Sequence, residues 1–249
     1  ALLYFAVSLI GILHHELWLD EAHHWLLARD SHSVSELIAN TRTEGHPLLW
    51  SFLLYAITRF TADPFWMQFV HILISTTAVF VLLRKAPFGW IFKILFIFGY
   101  FMIFEYNLIS RNYMLGILFL FLACSVFRDR QRQFTCLCLF LALAANVHLM
   151  FSIISFALFV TLLLEQAIER QLFQRKFVVG YAIFVLGLVS IVVQIQSTQS
   201  DWLLEPIRQM SLSERLVKGF VSLFKGLINI PDLRTIYFWN SNYIANAFR

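Results

Sequence analysis

The sequence predicts an all-helical protein that crosses a membrane about seven times. Of its 249 residues, 59% are hydrophobic and only 14% are charged, and the mean hydropathy is +0.72. Soluble domains carry about 25% charged residues. Apolar runs recur along the chain, several of them close to the ~20 residues that cross a hydrocarbon core. They cover residues 1–13, 65–83, 88–104, 113–127, 134–147, 149–164 and 177–195.

The first run is expected to be a membrane anchor. It lacks the basic region and the small-residue cleavage site of a signal peptide. The sequence has no initiator Met and stops in a polar stretch at Arg249. We therefore expect it to be a fragment of a longer chain.

The polar stretch at residues 14–64 is expected to form helices beside the membrane. Asp20 is placed to cap a helix that runs from Glu21 to Ala28, and Ser33 and Glu36 have the S-x-x-E spacing of a capping box. Pro47 opens a third segment, to residue 60, that is too short to span and that we place at the membrane interface.

The long apolar run at residues 134–164 predicts a helical hairpin. As one helix it would be about 46 Å long, against a core of ~30 Å. A hairpin with its tip at Asn146–Leu149 also places the basic residues that follow on the same side of the membrane as the other basic connections.

Basic residues set the predicted orientation, because short cytoplasmic loops are rich in Lys and Arg. Three such connections alternate with loops that are not basic, and we place them inside: 84–87, 128–133 and 165–176. The segments outside are then 14–64, 105–112, the hairpin tip and 196–249. This predicts a transmembrane module at 1–196 and an extracytoplasmic segment at 197–249.

The external segment contains an amphipathic pattern at residues 211–230. We interpret it either as a lid over a pocket or as an ordinary surface helix. The net charge of +4 follows from the loop pattern and gives no indication of nucleic acid. The three cysteines fall within apolar runs and predict neither a disulfide nor a metal site.

Ionisable side chains gather on the predicted outer side, where they mark a functional site. They are Asp20, Glu21, His23, His24, His46, Glu105, Arg111, Tyr113 and His148. For Asp20 three interpretations stay open: a helix cap, a metal ligand with His24 at i, i+4, and a general base that takes a proton from an acceptor hydroxyl. Glu105 and Arg111 also have the simpler interpretation of a salt bridge, and His71 that of a structural residue.

The order of several motifs resembles a known family. A first span, "DEAHHW", "GHPLLW", "SRNYML" and "NVHLM" follow one another on one side of the membrane. This arrangement is similar to the GT-C membrane glycosyltransferases. Among them it most resembles the protein O-mannosyltransferase and lipid A aminoarabinose transferase group, which is glycosyltransferase family 39-like, over residues 1 to about 165.

The resemblance implies a role for each matching residue. Asp20 would be the catalytic base and Glu21 a neighbour that positions substrate, whereas His46 matches a His-Pro-Pro element in which Leu48 replaces the second Pro. Arg111 and Tyr113 would match an Arg-x-Tyr element, and His148 a polar residue that ends a later span.

The resemblance also implies an inverting transfer of a sugar from a polyprenyl-phosphate donor, held among membrane lipids, to an acceptor hydroxyl outside the inner (plasma) membrane. Arg111 is the expected phosphate ligand, with Arg59, Arg208 and Lys218 as alternatives. No cofactor is required, although His23 and His24 leave room for a divalent metal. A polytopic transporter or metal-binding membrane protein is the alternative, and a non-catalytic scaffold a further one; sugar and acceptor stay open.

Overall fold

A computed structural model of the chain describes residues 1–171, 174–194 and 210–218. These ranges are helical and contain no strand. The chain divides into two compact units, Ala1–Thr198 and Gln199–Arg249. The all-helical prediction is thereby confirmed.

The described α-helices of the first unit lie at the apolar runs of the sequence, except for the second, third and fourth, which lie in the stretch at residues 14–64. In chain order the helices are α1 (Leu2–Ile12), α2 (Leu19–Asp30), α3 (Val34–Asn40), α4 (Leu49–Thr58), α5 (Phe65–Lys85), α6 (Trp90–Ile97), α7 (Tyr113–Phe127), α8 (Phe134–Ala145), α9 (Leu149–Ile168) and α10 (Arg175–Gln194). A 3₁₀ turn (Arg42–Glu44) precedes α4, and a π-helical turn (Phe101–Glu105) follows α6.

Within the described ranges, three helices are long and apolar enough to cross a membrane: Phe65–Lys85, Leu149–Ile168 and Phe177–Gln194. The other apolar runs form shorter helices, and the run at 88–104 is divided between α6 and the π-helical turn. A helix is thus present at each of the seven predicted runs. The architecture is that of a polytopic membrane protein.

Helix α8 lies at the centre of the bundle, in contact with α7, α9 and α10. Helix α5 packs between α7 and α1, and α2 packs on α4. The approach of α10 to α8 depends on a glycine, because a Cβ at Gly180 would lie 2.6 Å from the ring of Phe134. Buried aromatic and aliphatic side chains, among them Phe134, Phe177 and Phe184, fill the space between these helices.

The predicted hairpin is confirmed: α8 ends at Ala145 and α9 begins at Leu149. The tip is held by polar contacts to other helices. The backbone carbonyl of Asn146 accepts from Leu49 N at the start of α4 (3.1 Å), and its side chain donates to the Gly187 carbonyl of α10 (3.1 Å). The side chain of Gln194 accepts from Leu48 N (2.7 Å). These contacts place the hairpin tip beside the first turn of α4.

Two helices begin at residues other than those predicted. Helix α2 begins at Leu19, so Asp20 lies inside its first turn and does not cap it. The N–H of Trp18 is instead bound by Glu21 Oε2 (2.9 Å). Helix α4 begins at Leu49, two residues after Pro47, because contacts with Asn146 and Gln194 satisfy its first N–H groups. The predicted cap at Ser33 is confirmed, as its hydroxyl accepts from Glu36 N (3.1 Å).

The basic connections lie at the C-terminal ends of α5, α7 and α9, away from the hairpin tip. There Arg130 binds the carboxylate of Glu165 through three hydrogen bonds of 2.6 to 3.0 Å. Lys93 donates to the Leu83 carbonyl (2.9 Å), near the same end of α5. Polar residues therefore occupy both ends of the bundle, acids and histidines at one and basic residues at the other.

The second unit is described only at residues 210–218, of which 212–218 are helical and exposed. Lys218 lies in this helix. The rest of the predicted amphipathic segment 211–230 lies outside the described residues, as does Arg208.

Candidate functional site

The candidate site is centred on an ion pair between Asp20 and Arg111. Arg111 Nη2 lies 3.3 Å from Asp20 Oδ2, and the two side chains are 28% and 54% exposed. Asp20 reaches this position from the first turn of α2, and Arg111 from the loop that precedes α7. The structure thus joins the two segments, 91 positions apart, that the sequence suggested for base and phosphate ligand.

A chain of aromatic rings extends from this ion pair. The guanidinium of Arg111 lies over the ring of Tyr113 (5.0 Å to the centroid). Tyr113 contacts His148 (5.1 Å between centroids), and His148 stacks on His46 (4.4 Å, 31° between planes). Four of the predicted site residues therefore line one continuous surface, contributed by the loop before α4, the loop before α7 and the hairpin tip.

The proton on His148 is placed by its backbone contacts. Nδ1 of His148 accepts a hydrogen bond from Met150 N (3.1 Å), so this nitrogen carries no proton. Burial, with the nearby charges of His46 and Arg111, lowers the pKa of His148 to about 4. At neutral pH the ring is therefore uncharged and its proton lies on Nε2. His148 thus offers an uncharged N–H donor.

His46 and His24 are likewise held uncharged. Burial is the main cause that lowers the pKa of each ring, and the cation of Arg111 lowers both further, whereas Glu44 acts in the opposite direction. The Nδ1 atoms of both rings are buried, and neither has a hydrogen-bond partner within the parts of the chain that the structure describes. Unpaired buried polar atoms of this kind are uncommon in folded proteins.

Glu21 lies next to Asp20 in sequence but inside the protein. Its side chain is fully buried. Oε1 accepts from Ser110 N (2.6 Å), and Oε2 accepts from Trp18 N and His15 Nε2 (2.9 Å each). Burial alone would raise the pKa of Glu21, but the hydrogen bonds from His15, Trp18 and Ser110 outweigh it and hold this pKa below its ordinary value. Glu21 is therefore a fixed anion that joins α2 to the loop before α7.

Glu105 lies apart from the ion pair. Its carboxylate accepts from the Tyr100 hydroxyl (3.2 Å), and among the described residues no Glu105–Arg111 salt bridge is present. The sequence left open a salt bridge between Glu105 and Arg111. In the structure Arg111 pairs with Asp20 instead. Tyr106, next to Glu105 in sequence, contacts the ring of Tyr113 (5.9 Å). This contact connects the Glu105 region with the ring surface.

Arg59, one of the alternative cations, has partners other than Asp20, and Arg208 lies outside the described residues. Arg59 donates to the carbonyls of Ala28 and Arg29 at the C-terminal end of α2 (3.2 and 2.9 Å), where it neutralises the end of the helix. Arg111 is therefore the only cation in contact with Asp20 among the residues described here.

The metal candidates do not form a ligand cluster. His23 Nε2 lies 2.9 Å from Glu44 Oε1, and the rings of His23 and His24 are 5.7 Å apart. Across the described ranges no three His, Cys, Asp or Glu side chains are grouped so that they could hold a metal ion.

Sequence reasoning missed Glu44 and the support beneath Arg111. Glu44 Oε1 lies 2.9 Å from His23 Nε2, and Gly45, at φ 68°, turns the chain between the 3₁₀ turn and His46. The sequence "EGHP", which places Glu44 two residues before His46, could have indicated that Glu44 lies near the site. Asn107 and Ser110 hold the loop before α7 through buried hydrogen bonds, but short polar loops of this kind give no distinctive sequence pattern.

Fold and site together define an integral membrane protein with an acidic, histidine-rich site at one end of its helix bundle. The sequence model of the EpsG family matches residues 24–212, well over half of the chain. The chain therefore belongs to the EpsG family, a family of membrane glycosyltransferase-like polysaccharide polymerases. The matched segment contains His46, Glu105, Arg111, Tyr113 and His148, and begins after Asp20 and Glu21. No curated protein and no solved structure is significantly similar to the chain.

Proposed function

We propose that this protein transfers a saccharide from a polyprenyl-phosphate carrier to an acceptor hydroxyl by inverting displacement, at a site outside the cytoplasmic membrane, in a GT-C-like arrangement. The Asp20–Arg111 pair is the observation that carries the proposal. It places a carboxylate and a guanidinium 3.3 Å apart, both partly accessible. Such a transfer needs a proton acceptor for the attacking hydroxyl and a cation for the departing phosphate.

In the proposed step the acceptor oxygen forms a bond to the anomeric carbon while the bond from that carbon to the phosphate oxygen breaks. The electron pair leaves with the phosphate, whose negative charge Arg111 binds as a fork. The acceptor proton passes to Asp20. His148 donates its Nε2–H to an oxygen of the donor, and its neutral state avoids competition with Arg111.

An apolar groove beside the site supports a prenyl carrier. It has a volume of about 470 Å³ and lies between the α6–π segment and α7. Its lining is apolar or aromatic throughout: Leu95, Phe96, Gly99, Tyr100, Phe101, Met102, Tyr106, Ile117 and Phe121. Tyr106 belongs both to this lining and to the ring chain of the site, through Tyr113. A carrier whose phosphate binds Arg111 could thus extend its hydrocarbon along the groove.

The distribution of basic residues supports an extracytoplasmic site. Arg84, Lys85 and Arg130 lie at the end of the bundle away from Asp20, and basic loops favour the cytoplasm. The proposed sidedness follows from this rule alone.

The test is sugar transfer from radiolabelled polyprenyl-phosphate sugars in membranes that carry wild type, Asp20→Asn or Asp30→Asn. Asp30 is the matched control because it is also an exposed acid on α2 with an arginine partner, Arg29 at 2.7 Å. We expect loss of transfer in Asp20→Asn of about a hundredfold or more, the usual contribution of a general base, and little change in Asp30→Asn. Normal transfer in Asp20→Asn would refute the assignment of the base.

A further inference from the structure

Beneath the site, His71 contacts the loop that carries Arg111 at two points. It lies on α5 and is completely buried. Its Nδ1 is 2.9 Å from the carbonyl oxygen of Asn107, and its Nε2 is 3.0 Å from the carbonyl oxygen of Arg111 itself. One imidazole thus spans the beginning and the end of the loop.

The other contacts of the loop complete the support. Ser110 N donates to the buried Glu21 carboxylate (2.6 Å), and the Asn112 side chain donates to the Val147 carbonyl (3.3 Å) at the hairpin tip. The Asn107 side chain donates to Ser8 Oγ of α1 (2.7 Å). His71 is the residue among these that binds the backbone of Arg111 directly, so it fixes the point from which the guanidinium projects towards Asp20.

The two contacts of His71 also define its hydrogen-bonding state. Both partners are carbonyl oxygens, which only accept, and a neutral imidazole has a single N–H. A neutral ring therefore donates to one of the two carbonyl oxygens and lies in contact with the other. The ring of Trp50, on α4, packs against the ring of His71 (5.6 Å between centroids).

We propose that His71 is a positioning residue for the transfer: its ring, wedged between the carbonyl oxygens of Asn107 and Arg111, holds the loop and thereby aims the Arg111 guanidinium at the donor phosphate. This inference rests on the proposed function of Arg111 as phosphate ligand. His71 itself touches no substrate, because it has no exposed surface.

Two substitutions separate the two contacts. The amide nitrogen of Gln takes the place of Nε2, so His71→Gln keeps the contact with Arg111 and loses the one with Asn107. The amide nitrogen of Asn takes the place of Nδ1, so His71→Asn does the opposite. We expect the dissociation constant for a polyprenyl phosphate to rise about tenfold in His71→Asn and only about twofold in His71→Gln.

A double-mutant cycle with Arg111→Ala tests whether the effect passes through the guanidinium. His71→Asn is expected to weaken binding no further once Arg111 is replaced, whereas a purely structural role would cost the same factor in both backgrounds. Each variant is compared below its thermal midpoint, followed by tryptophan fluorescence, so that unfolding is not counted as lost affinity.

The outcomes distinguish the two proposals. A wild type that does not bind the polyprenyl phosphate would overturn the proposed function and this inference with it. Binding in wild type with equal losses in His71→Asn and His71→Gln, or an additive cycle, would overturn the inference alone.

Discussion

Glu21 offers a test of how the site is built, because its neighbour Asp20 is accessible and pairs with Arg111 while Glu21 is fully buried. The perturbation is Glu21→Gln, which keeps the shape of the side chain and removes its charge. The carboxylate accepts from Ser110 N at 2.6 Å and from Trp18 N and His15 Nε2 at 2.9 Å. An amide has a single oxygen, so one of these donors must face an NH₂ group.

The expected loss of stability follows from these contacts. A buried donor without an acceptor costs about 1–3 kcal/mol, and the remaining bonds to a neutral oxygen are weaker than bonds to a carboxylate by about 1 kcal/mol. Together they predict a loss of about 3 kcal/mol. At about 2–4 °C per kcal/mol for a chain of this size, the thermal midpoint should fall by about 6–12 °C.

The assay is thermal unfolding of the purified protein in detergent, followed by the fluorescence of the tryptophans. Glu36→Gln is the matched control: Glu36 also accepts from a backbone N–H, that of His32 (2.8 Å), but at the surface on α3. Its loss should stay within about 1 kcal/mol. Equal midpoints for Glu21→Gln and Glu36→Gln would refute the account of Glu21 as a buried anion that holds the loop before α7.

Three further predictions concern packing, pH and topology. Gly116→Ala should destabilise the protein by about 1–3 kcal/mol, because the new Cβ would lie 2.3 Å from the Phe151 ring, whereas Gly89→Ala, with nothing within 4 Å, should be neutral in the same melting assay. The pKa of His148 is lowered from 6.5 to about 4 in the folded protein, so between these pH values the unfolded chain binds a proton that the folded protein does not, and the free energy of unfolding should fall as the pH drops from 6.5 to 4. His148→Gln should lose less stability than wild type over the same pH range. An equal pH dependence in the two proteins would contradict the low pKa. Cysteines at His32 and Arg132, in a background without the native cysteines, should react with an impermeant maleimide from opposite sides of the membrane, and labelling from one side would break the proposed topology.

The helices could be predicted from the sequence because membrane-spanning segments are defined by length and apolarity. The hairpin at Asn146–Leu149 followed from the same reasoning, since a single helix would exceed the membrane thickness. The short helices beside the membrane were harder to place. The start of α4 depends on N–H groups bound by Asn146 and Gln194, which lie about 100 or more positions away in sequence.

The site could be predicted in its residue types but not in its pairings. From the sequence, a Glu105–Arg111 salt bridge was the simpler of two interpretations. The partner of Arg111 is Asp20, because the fold of α1, α5 and α7 brings the two loops together. The different positions of Asp20 and Glu21 were readable from helical periodicity. Glu21, Trp25 and Ala28 recur at i, i+4 and i+7 and form the buried face of α2, which directs Asp20 outward.

The pairing of Asp20 with Arg111 gives the proposed mechanism an order of events. An accessible ion pair contributes only about 0.2–1 kcal/mol, so a donor phosphate can displace Asp20 from the guanidinium at little cost. The carboxylate is then released as a free base when the donor arrives. Asp20→Asn should therefore bind a polyprenyl phosphate as tightly as wild type or up to about fivefold more tightly, although it no longer transfers sugar, and Asp30→Asn should leave the affinity unchanged. Weaker binding in Asp20→Asn would mean that Asp20 contacts the donor rather than competing with it for Arg111.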